Sequence, residues 1–202
     1  MWAFFAATVL CGWSRFVRCS FRDVDIRNWH GDHLELVDCV FTGRLRSSQF
    51  WGTQPCQRVE REYANYARWH EEQGRGEPPE HVRALFLREV NEFDGNDFSG
   101  ADLLKVDFRG GIDLSRQRLP CGDDYLYLPD AAATIERALT LLPDQVPAEL
   151  AERVTFFLRG VLGREIDMGQ PQLFLRKQDF ERKRQVPSDV LAAFDLLRGA
   201  EG

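Results

Sequence analysis

The pattern that decides the fold lies between Asn91 and Leu114, which read NEFDGNDFSGADLLKVDFRGGIDL. Large apolar residues occupy every fifth position there: Phe93, Phe98, Leu103 and Phe108. The earlier stretch 13–43, WSRFVRCSFRDVDIRNWHGDHLELVDCVFTG, shows the same spacing. Its large apolar residues at that spacing are Phe16, Phe21, Ile26, Leu36 and Phe41. The two stretches therefore indicate one repeated structural unit.

A five-residue spacing suits neither of the common secondary structures. On an α-helix, five residues turn through roughly 500°, so successive large residues scatter around the cylinder. On a straight strand, an odd spacing places them on alternating faces. We therefore expect a chain that bends at each repeat and stacks its large residues in interior ladders.

Small residues two positions before the large ones favour a narrow interior. Cys19, Cys39 and Ala101 hold such positions, and a small side chain beside a large one fills a thin core without voids. Because Cys19 and Cys39 are 20 residues apart, we expect their side chains to stack in one ladder. Packing in the core is favoured at both cysteines over a metal-binding or nucleophilic role.

The repeats NDFSG at 96–100 and ADLLK at 101–105 resemble those of the pentapeptide-repeat family. The segments similar to uncharacterised members from high-G+C Gram-positive bacteria are GRL (43–45), FWG (50–52), GGIDL (110–114) and QRLP (117–120). The resemblance implies a mainly β fold with added α-helices. Its β part would be a short right-handed quadrilateral β-helix, a solenoid of about three coils.

Several positions depart from the repeat. Gly31 and Asp113 stand where a large apolar residue is expected, and the spacing restarts one residue early at Leu45 and Phe50. We expect a bulge or a distorted bend at each departure. The predicted divisions are an apolar N-terminal cap (1–12), the solenoid (13–52 and 91–119), a helical insert (53–90) and a C-terminal helical region (120–202).

Two helices are predicted in the insert. Apolar and aromatic residues at helical spacing indicate a helix over Gln57–Gln73 and a second over Glu80–Val90, with a Gly- and Pro-rich break between them. The plainest interpretation is a helical hairpin packed against the solenoid. The alternative is an arm that binds a partner.

The C-terminal region loses the five-residue spacing. Tyr125–Leu128 predicts a short strand, and Asp130 is a candidate N-cap for the helix that follows. Periodic apolar residues predict further helices over Ala148–Leu162, ending at Gly163, and from Pro187 to Gly199. These helices would close the open end of the solenoid or form a small bundle beside it.

Composition predicts an ordinary globular protein of 202 residues. The net charge of −6 gives no overall electrostatic reason to bind nucleic acid directly or an anionic membrane. The 5 cysteines include no CxxC pair, which favours free thiols and a cytoplasmic location. The apolar run at the N-terminus is too short for a spanning helix and has no basic leader.

Motifs for catalysis or cofactor binding are missing from the sequence. The 3 lysines do not follow a phosphate-binding loop, and there is no Gly-x-Ser-x-Gly elbow. The best metal-like cluster, His30-Gly31-Asp32-His33, lacks further ligands at a recognisable spacing. We predict no catalytic, cofactor-binding or metal-binding residue.

Three functions remain open from the sequence. We favour a non-enzymatic module that binds another protein of unknown identity, with a homodimer as one further option. The family resemblance implies an alternative, a DNA mimic that binds DNA gyrase and protects it from inhibitors. Its candidate surface is Asp94, Asp97, Asp102 and Asp107. The third is an enzyme with its site in the helical tail. That tail contains no histidine, because the last histidine of the chain is His81.

Overall fold

The computed structural model describes residues 4, 5, 14–53, 56–181 and 187–201. In chain order, the strands are β1 (Phe4–Phe5), β2 (Ser14–Val17), β3 (Ser20–Arg27), β4 (His30–Gly31), β5 (Leu34–Val37), β6 (Val40–Trp51), β7 (Phe93–Asp94), β8 (Asp97–Arg109), β9 (Tyr125–Leu128) and β10 (Leu173–Arg176). The α-helices are α1 (Cys56–Glu72), α2 (Glu80–Phe86), α3 (Ala131–Gln145), α4 (Ala148–Phe156), α5 (Gly163–Asp167), α6 (Lys177–Glu181) and α7 (Pro187–Gly199). A 3-10 turn covers Leu114–Arg116, and a π-helical segment covers Phe157–Leu162.

The predicted quadrilateral β-helix is wrong. The parallel strands divide between a five-stranded sheet and a separate three-stranded sheet, β2-β5-β7, and β9 and β10 form an antiparallel pair. Helices make up much of the remaining chain, and no closed solenoid is present among the described residues. The spacing of apolar residues gave the prediction, but that spacing reports which side chains face inward. It does not determine whether neighbouring sheets join into a closed tube.

The larger sheet is built on β6, which lies between β3 and β8. Val40 pairs with Ser20 on one side and with Asp97 on the other, so residues far apart in sequence become direct neighbours. The β3–β6 register shifts between Phe21 and Val24, just before the early restart of the spacing on β6. The irregularity expected there is thus a change in strand register.

Left-handed residues explain how the five-residue spacing stays on one face. Arg18, Asp23, Asn28 and Asp38 have φ values of 54°, 52°, 55° and 52°. Such a residue bends the chain locally, so that the next large side chain again points inward. Gly43 has φ of 95°, and a Cβ there would overlap the backbone oxygen of Val24. A side chain would therefore be strained at this bend.

The sheet core contains the large residues of the repeat. Leu36, Phe41 and Phe98 are fully buried, and Phe41 stacks between Phe21 and Phe98 with ring centroids 4.7 and 4.8 Å apart. The other buried repeat residues are Ile26, Cys39, Phe93, Ala101, Leu103 and Phe108. Phe16, Cys19 and Phe21 are partly buried against the same core. Burial of such side chains is the main stabilising contribution in this half of the molecule.

The helical insert differs from its prediction at the second helix. Helix α1 agrees within a residue at each end, but α2 ends at Phe86 rather than at Val90. Val90 instead forms an antiparallel bridge with Thr53. The backbone pairing at the base of the insert therefore ends the helix before its apolar pattern does.

The C-terminal region has a second core. Strand β9 covers the predicted residues, and the Asp130 carboxylate accepts a hydrogen bond from the Ala133 amide at 3.0 Å, as a helix cap does. The helix predicted to stop at Gly163 passes through the π-helical segment into α5. Leu128, Val154, Leu158, Phe194 and Leu197 are among the residues buried in this core.

Side chains of the C-terminal region cover the outer edge of β8. The Asp179 carboxylate accepts from the Lys105 amide at 3.0 Å, and Arg176 Nη1 donates to the Leu103 carbonyl at 2.9 Å. The fully buried Gln170 binds the backbone of Gly111 and Ile112 through both of its amide atoms. Tyr127 and Phe174 also pack against the sheet core.

Most of the predicted N-terminal cap, 1–12, lies outside the described residues. Phe4 and Phe5 are described, and they pair with Asp25 and Ile26 of β3. No helix in the described chain is long and apolar enough to span a bilayer.

Candidate interaction groove

The candidate site lies where the helical insert leaves and rejoins the sheets. The Asn91 amide donates to the Gly52 carbonyl at 2.6 Å, and the Asn91 side chain donates to Trp51 and Asp32 carbonyls at 2.7 and 2.8 Å. Together with the Thr53–Val90 bridge, these bonds bring the two ends of the insert together. The base of the insert is therefore fixed on the sheet.

A buried ion pair joins the segment that follows α2 to strand β5. Glu35 is 8% exposed, and its carboxylate lies 3.1 Å from Arg88 Nη1. Burial lowers the pKa of Arg88, and the Glu35 charge partly offsets this effect. Arg88 also donates to the Asn91 side chain, so its guanidinium is positioned by two partners. Because Arg88 is held in this pair, the positions of its two sequence neighbours, Leu87 and Glu89, are also restricted.

Helix α1 of the insert is attached to the rest of the protein through a histidine. His33 Nε2 lies 2.9 Å from the Glu62 carboxylate. Phe86, at the end of α2, packs its ring against His33 and against Tyr63 and Tyr66 of α1. These contacts place His33, one residue of the metal-like cluster, at a packing interface. The described residues include no group of three or more His, Cys, Asp or Glu side chains placed to hold a metal ion.

A groove of about 460 Å³ opens beside this attachment. Its lining residues are Thr53, Val59, Glu60, Leu87, Arg88, Glu89 and Val90. Val90 is 60% exposed and Leu87 36%, although both are aliphatic. We name this hollow the Val90 groove. Leu87 and Val90 give the groove an aliphatic floor, which is a candidate contact surface for a partner.

A second hollow of about 260 Å³ adjoins the first at Val90. It is lined by Gly52, Val90, Asn91, Glu92, Phe93, Asp94, Gly111, Ile112, Asp113 and Arg116. Val90 therefore lines both hollows, and an extended chain that occupied both would contact it.

The rim of the Val90 groove is acidic. Glu60 and Glu89 form no ion pair with any described residue. In the adjoining hollow, hydrogen bonds from Ser115 lower the pKa of Asp113 and so favour its charged form. The basic residues of the two hollows, Arg88 and Arg116, are each paired with a carboxylate. The surface thus combines apolar side chains with a negative margin.

The aspartates proposed as an acidic surface do not converge on this groove, except that Asp94 lines the second hollow. Each of them is paired with arginine: Asp94 with Arg116, Asp97 with Arg118, Asp102 with Arg44 and Arg176, and Asp107 with Arg109. These pairs neutralise much of the negative charge on the strand surface.

Two unusual carboxylates in the C-terminal region were not predicted from the sequence. Burial raises the pKa of Asp179 to about 6 and also raises the pKa of Glu165, which lies 3.1 Å from Arg109. Both side chains bind residues of β8. Neither lines the two hollows at Val90.

The cysteines are free among the described residues, where Cys19 is half-buried, Cys39 is buried and Cys121 is exposed. Burial raises the pKa of the Cys39 thiol, which keeps it protonated and unreactive. Cys121 lines an open depression beside Arg44, Asp102 and Tyr125. No base is hydrogen-bonded to it in the described chain.

Comparisons with protein-family models, curated proteins and solved structures found no match. The resemblance to pentapeptide-repeat proteins therefore stays a prediction from short sequence motifs.

Proposed function

We propose that the protein is a non-enzymatic interaction module that docks a segment of another protein chain in the Val90 groove. The observation that carries this proposal is the exposed Val90 and Leu87 on a backbone fixed by the Thr53 bridge and the Glu35–Arg88 pair. A preformed apolar floor binds a partner without first being ordered, which lowers the entropic cost of association.

The exposed apolar residues of the insert also favour a partner-binding arm. Trp69 is 44% exposed and Leu85 39%, on helices that bury Phe86 between them. The acidic margin disfavours nucleic acid as the direct ligand, because phosphates would be repelled. A cytoplasmic location is part of this proposal, since free thiols persist in a reducing compartment.

The two other functions receive less support. The arginine partners of the four surface aspartates weaken the negative field that a DNA mimic requires. For an enzyme in the C-terminal region, Asp179 and Glu165 would be the natural acids. Both carboxylates instead accept hydrogen bonds from residues of β8, and neither lines the Val90 groove.

The experiment that tests this function is a peptide-display selection on the immobilised protein, followed by affinity measurements on matched variants. We expect Val90→Asp to weaken the selected peptides by roughly tenfold or more, because burial of a valine contributes about 1.5–3 kcal/mol. Val17→Asp is the matched control, since Val17 is 41% exposed on β2 and does not line the groove. If no selected peptide distinguishes the two variants, the groove is not a docking site.

A further inference from the structure

Two cysteines lie side by side at the starts of neighbouring parallel strands. Cys19 immediately precedes β3 and Cys39 immediately precedes β6, and the next residues, Ser20 and Val40, pair across these strands. The Val40 amide also donates to the Cys19 carbonyl at 2.9 Å. Paired strands lie about 4.8 Å apart, and the Cα atoms of a disulfide are separated by about 4.4–6.8 Å. The two cysteines are therefore close enough to be bridged.

Both cysteine side chains are directed into the sheet core. Each cysteine follows a left-handed residue, Arg18 with φ of 54° and Asp38 with φ of 52°, so the chain bends in the same way before each of them. Cys39 belongs to the buried core, and Cys19 packs against it. The Cys39 amide donates to the buried Asn96 side chain at 3.0 Å, which fixes its position.

The two thiols interact with each other. Burial is the largest cause of the raised pKa of the Cys39 thiol, and interaction with the Cys19 thiol is among the further causes that raise it. The Cys39 thiol also lies 3.4 Å from the carbonyl oxygens of Phe16 and Val37, which hold it beside the first strand. The pair thus consists of two free thiols in a fixed arrangement.

The two thiols differ in their access to solvent. Cys39 is fully buried, whereas Cys19 is half-buried and its thiol makes an exposed hydrogen bond to the Val17 carbonyl at 3.6 Å. An oxidant in solution therefore reaches Cys19 first. An accessible thiol with a second thiol beside it is typical of redox-sensitive sites, because the second thiol can resolve the first oxidation product.

We propose that Cys19 and Cys39 form a redox-modifiable site, which hydrogen peroxide oxidises to an internal disulfide. The Cys19 sulfur attacks one peroxide oxygen, the O–O bond breaks, and the products are a sulfenic acid on Cys19 and one water molecule. The Cys39 sulfur then attacks the sulfenic sulfur, the S–O bond breaks, and the hydroxyl group leaves with the Cys39 proton as a second water. The two thiols are oxidised by two electrons in total, and one peroxide is reduced.

The arrangement of the pair compensates for the low reactivity of Cys39. Its thiol is protonated and closed to solvent, but the sulfenic sulfur forms directly beside it, so proximity replaces intrinsic reactivity. The bridge would tie the start of β3 to the start of β6, next to the stacked rings of Phe21 and Phe41. A cellular thiol reductant would reverse it by thiol–disulfide exchange.

The test uses a three-serine variant that carries Cys11→Ser, Cys56→Ser and Cys121→Ser, so that the pair supplies its only thiols. After treatment with hydrogen peroxide, we expect the folded variant to lose the mass of two hydrogen atoms. A digest should contain one cross-linked peptide that joins Cys19 to Cys39. Dithiothreitol should restore both thiols. If the three-serine variant does not fold, the same cross-linked peptide is sought in the wild-type protein.

Two further substitutions in the three-serine variant separate the roles of the pair. With Cys39→Ser, the sulfenic acid on Cys19 has no resolving thiol, so its labelling by dimedone should rise by roughly tenfold or more. With Cys19→Ser, the buried Cys39 should react at least about tenfold more slowly than the pair does. The serine hydroxyl at Cys39 can keep the hydrogen bonds to the Phe16 and Val37 carbonyls.

Three results would overturn the inference. One is a folded protein that gains oxygen atoms at Cys19 without forming the bridge. Another is a pair that stays reduced under conditions that oxidise the exposed Cys121 of the wild type. The third is dimedone labelling of Cys19 that is the same with and without the Cys39 thiol. The outcome is independent of whether the Val90 groove binds a partner.

Discussion

The sheets and the helical insert differ in how far their large apolar residues are buried. In the sheets, Phe41 and Phe98 are wholly buried in a stack of rings. In the insert, Phe86 is buried, but Trp69, Leu85 and Val90 remain exposed. The difference indicates a division of roles, in which the sheets supply stability and the insert supplies surface for recognition. Substitutions can test that division directly.

The largest effect is expected from Phe41→Ala in the centre of the stack. Removing a fully buried ring should lower the free energy of unfolding by about 3–5 kcal/mol, because it loses apolar burial and leaves a cavity. Leu85→Ala in the insert is the control and should change stability by less than about 0.5 kcal/mol. Urea unfolding measures both. Equal losses would show that the insert is as much a part of the core as the sheets.

Glu35→Gln should have the next largest effect on the free energy of unfolding. It tests whether the insert is attached to the sheets through the Glu35–Arg88 pair. It leaves the half-buried Arg88 without a carboxylate and should cost about 2 kcal/mol. Because Arg88 follows α2 closely, the opening should be local, with faster hydrogen exchange in Glu80–Phe86 than in β6. Glu80→Gln, whose partner Arg83 is exposed, is the control. Uniformly faster exchange across both elements would contradict a local attachment.

Asp179→Asn should have the smallest effect, and its sign depends on pH. Burial raises the pKa of Asp179 to about 6 in the folded protein, so the folded state binds a proton more tightly than the unfolded state. Stability from this group is therefore full below about pH 4 and is lost as pH rises through 6. The groups facing the carboxylate are the Lys105 amide, Arg176, Asp107 and Asp124.

The asparagine can still accept the Lys105 hydrogen bond but carries no charge. We expect Asp179→Asn to be more stable than the wild type by about 1 kcal/mol near pH 7, a figure reduced for solvent exposure. The difference should vanish near pH 4, where the wild-type carboxyl is protonated. Asp144→Asn, at an exposed site on α3, is the control. A difference that does not change with pH would contradict the raised pKa.

The sequence predicted burial better than it predicted connectivity. The five-residue spacing indicated that Phe98 and Leu103 face inward, and both are buried. It could not indicate that the sheets remain separate, because sheet closure depends on pairings between distant residues such as Val40 and Asp97. The prediction also missed that α2 ends at Phe86 and that the later helix continues past Gly163, since backbone pairing and the π-helical segment override local signals.

The candidate groove could not be located from the sequence. Val90 fits the apolar face of a predicted helix, and such a pattern does not tell which faces other elements will cover. The Glu35–Arg88 pair, which fixes the groove wall, joins residues more than 50 positions apart. Only the three-dimensional arrangement distinguishes the exposed Val90 from the buried Phe86.

The cover on the outer edge of β8 has a consequence during synthesis. An uncovered strand edge can pair with other chains and aggregate. The residues that cover it here, Arg176 and Asp179, leave the ribosome about 70 residues after the strand itself, several seconds later at ordinary translation rates. The nascent chain therefore passes through an interval in which the edge is bare, and a chaperone would have its greatest benefit for this protein at that time.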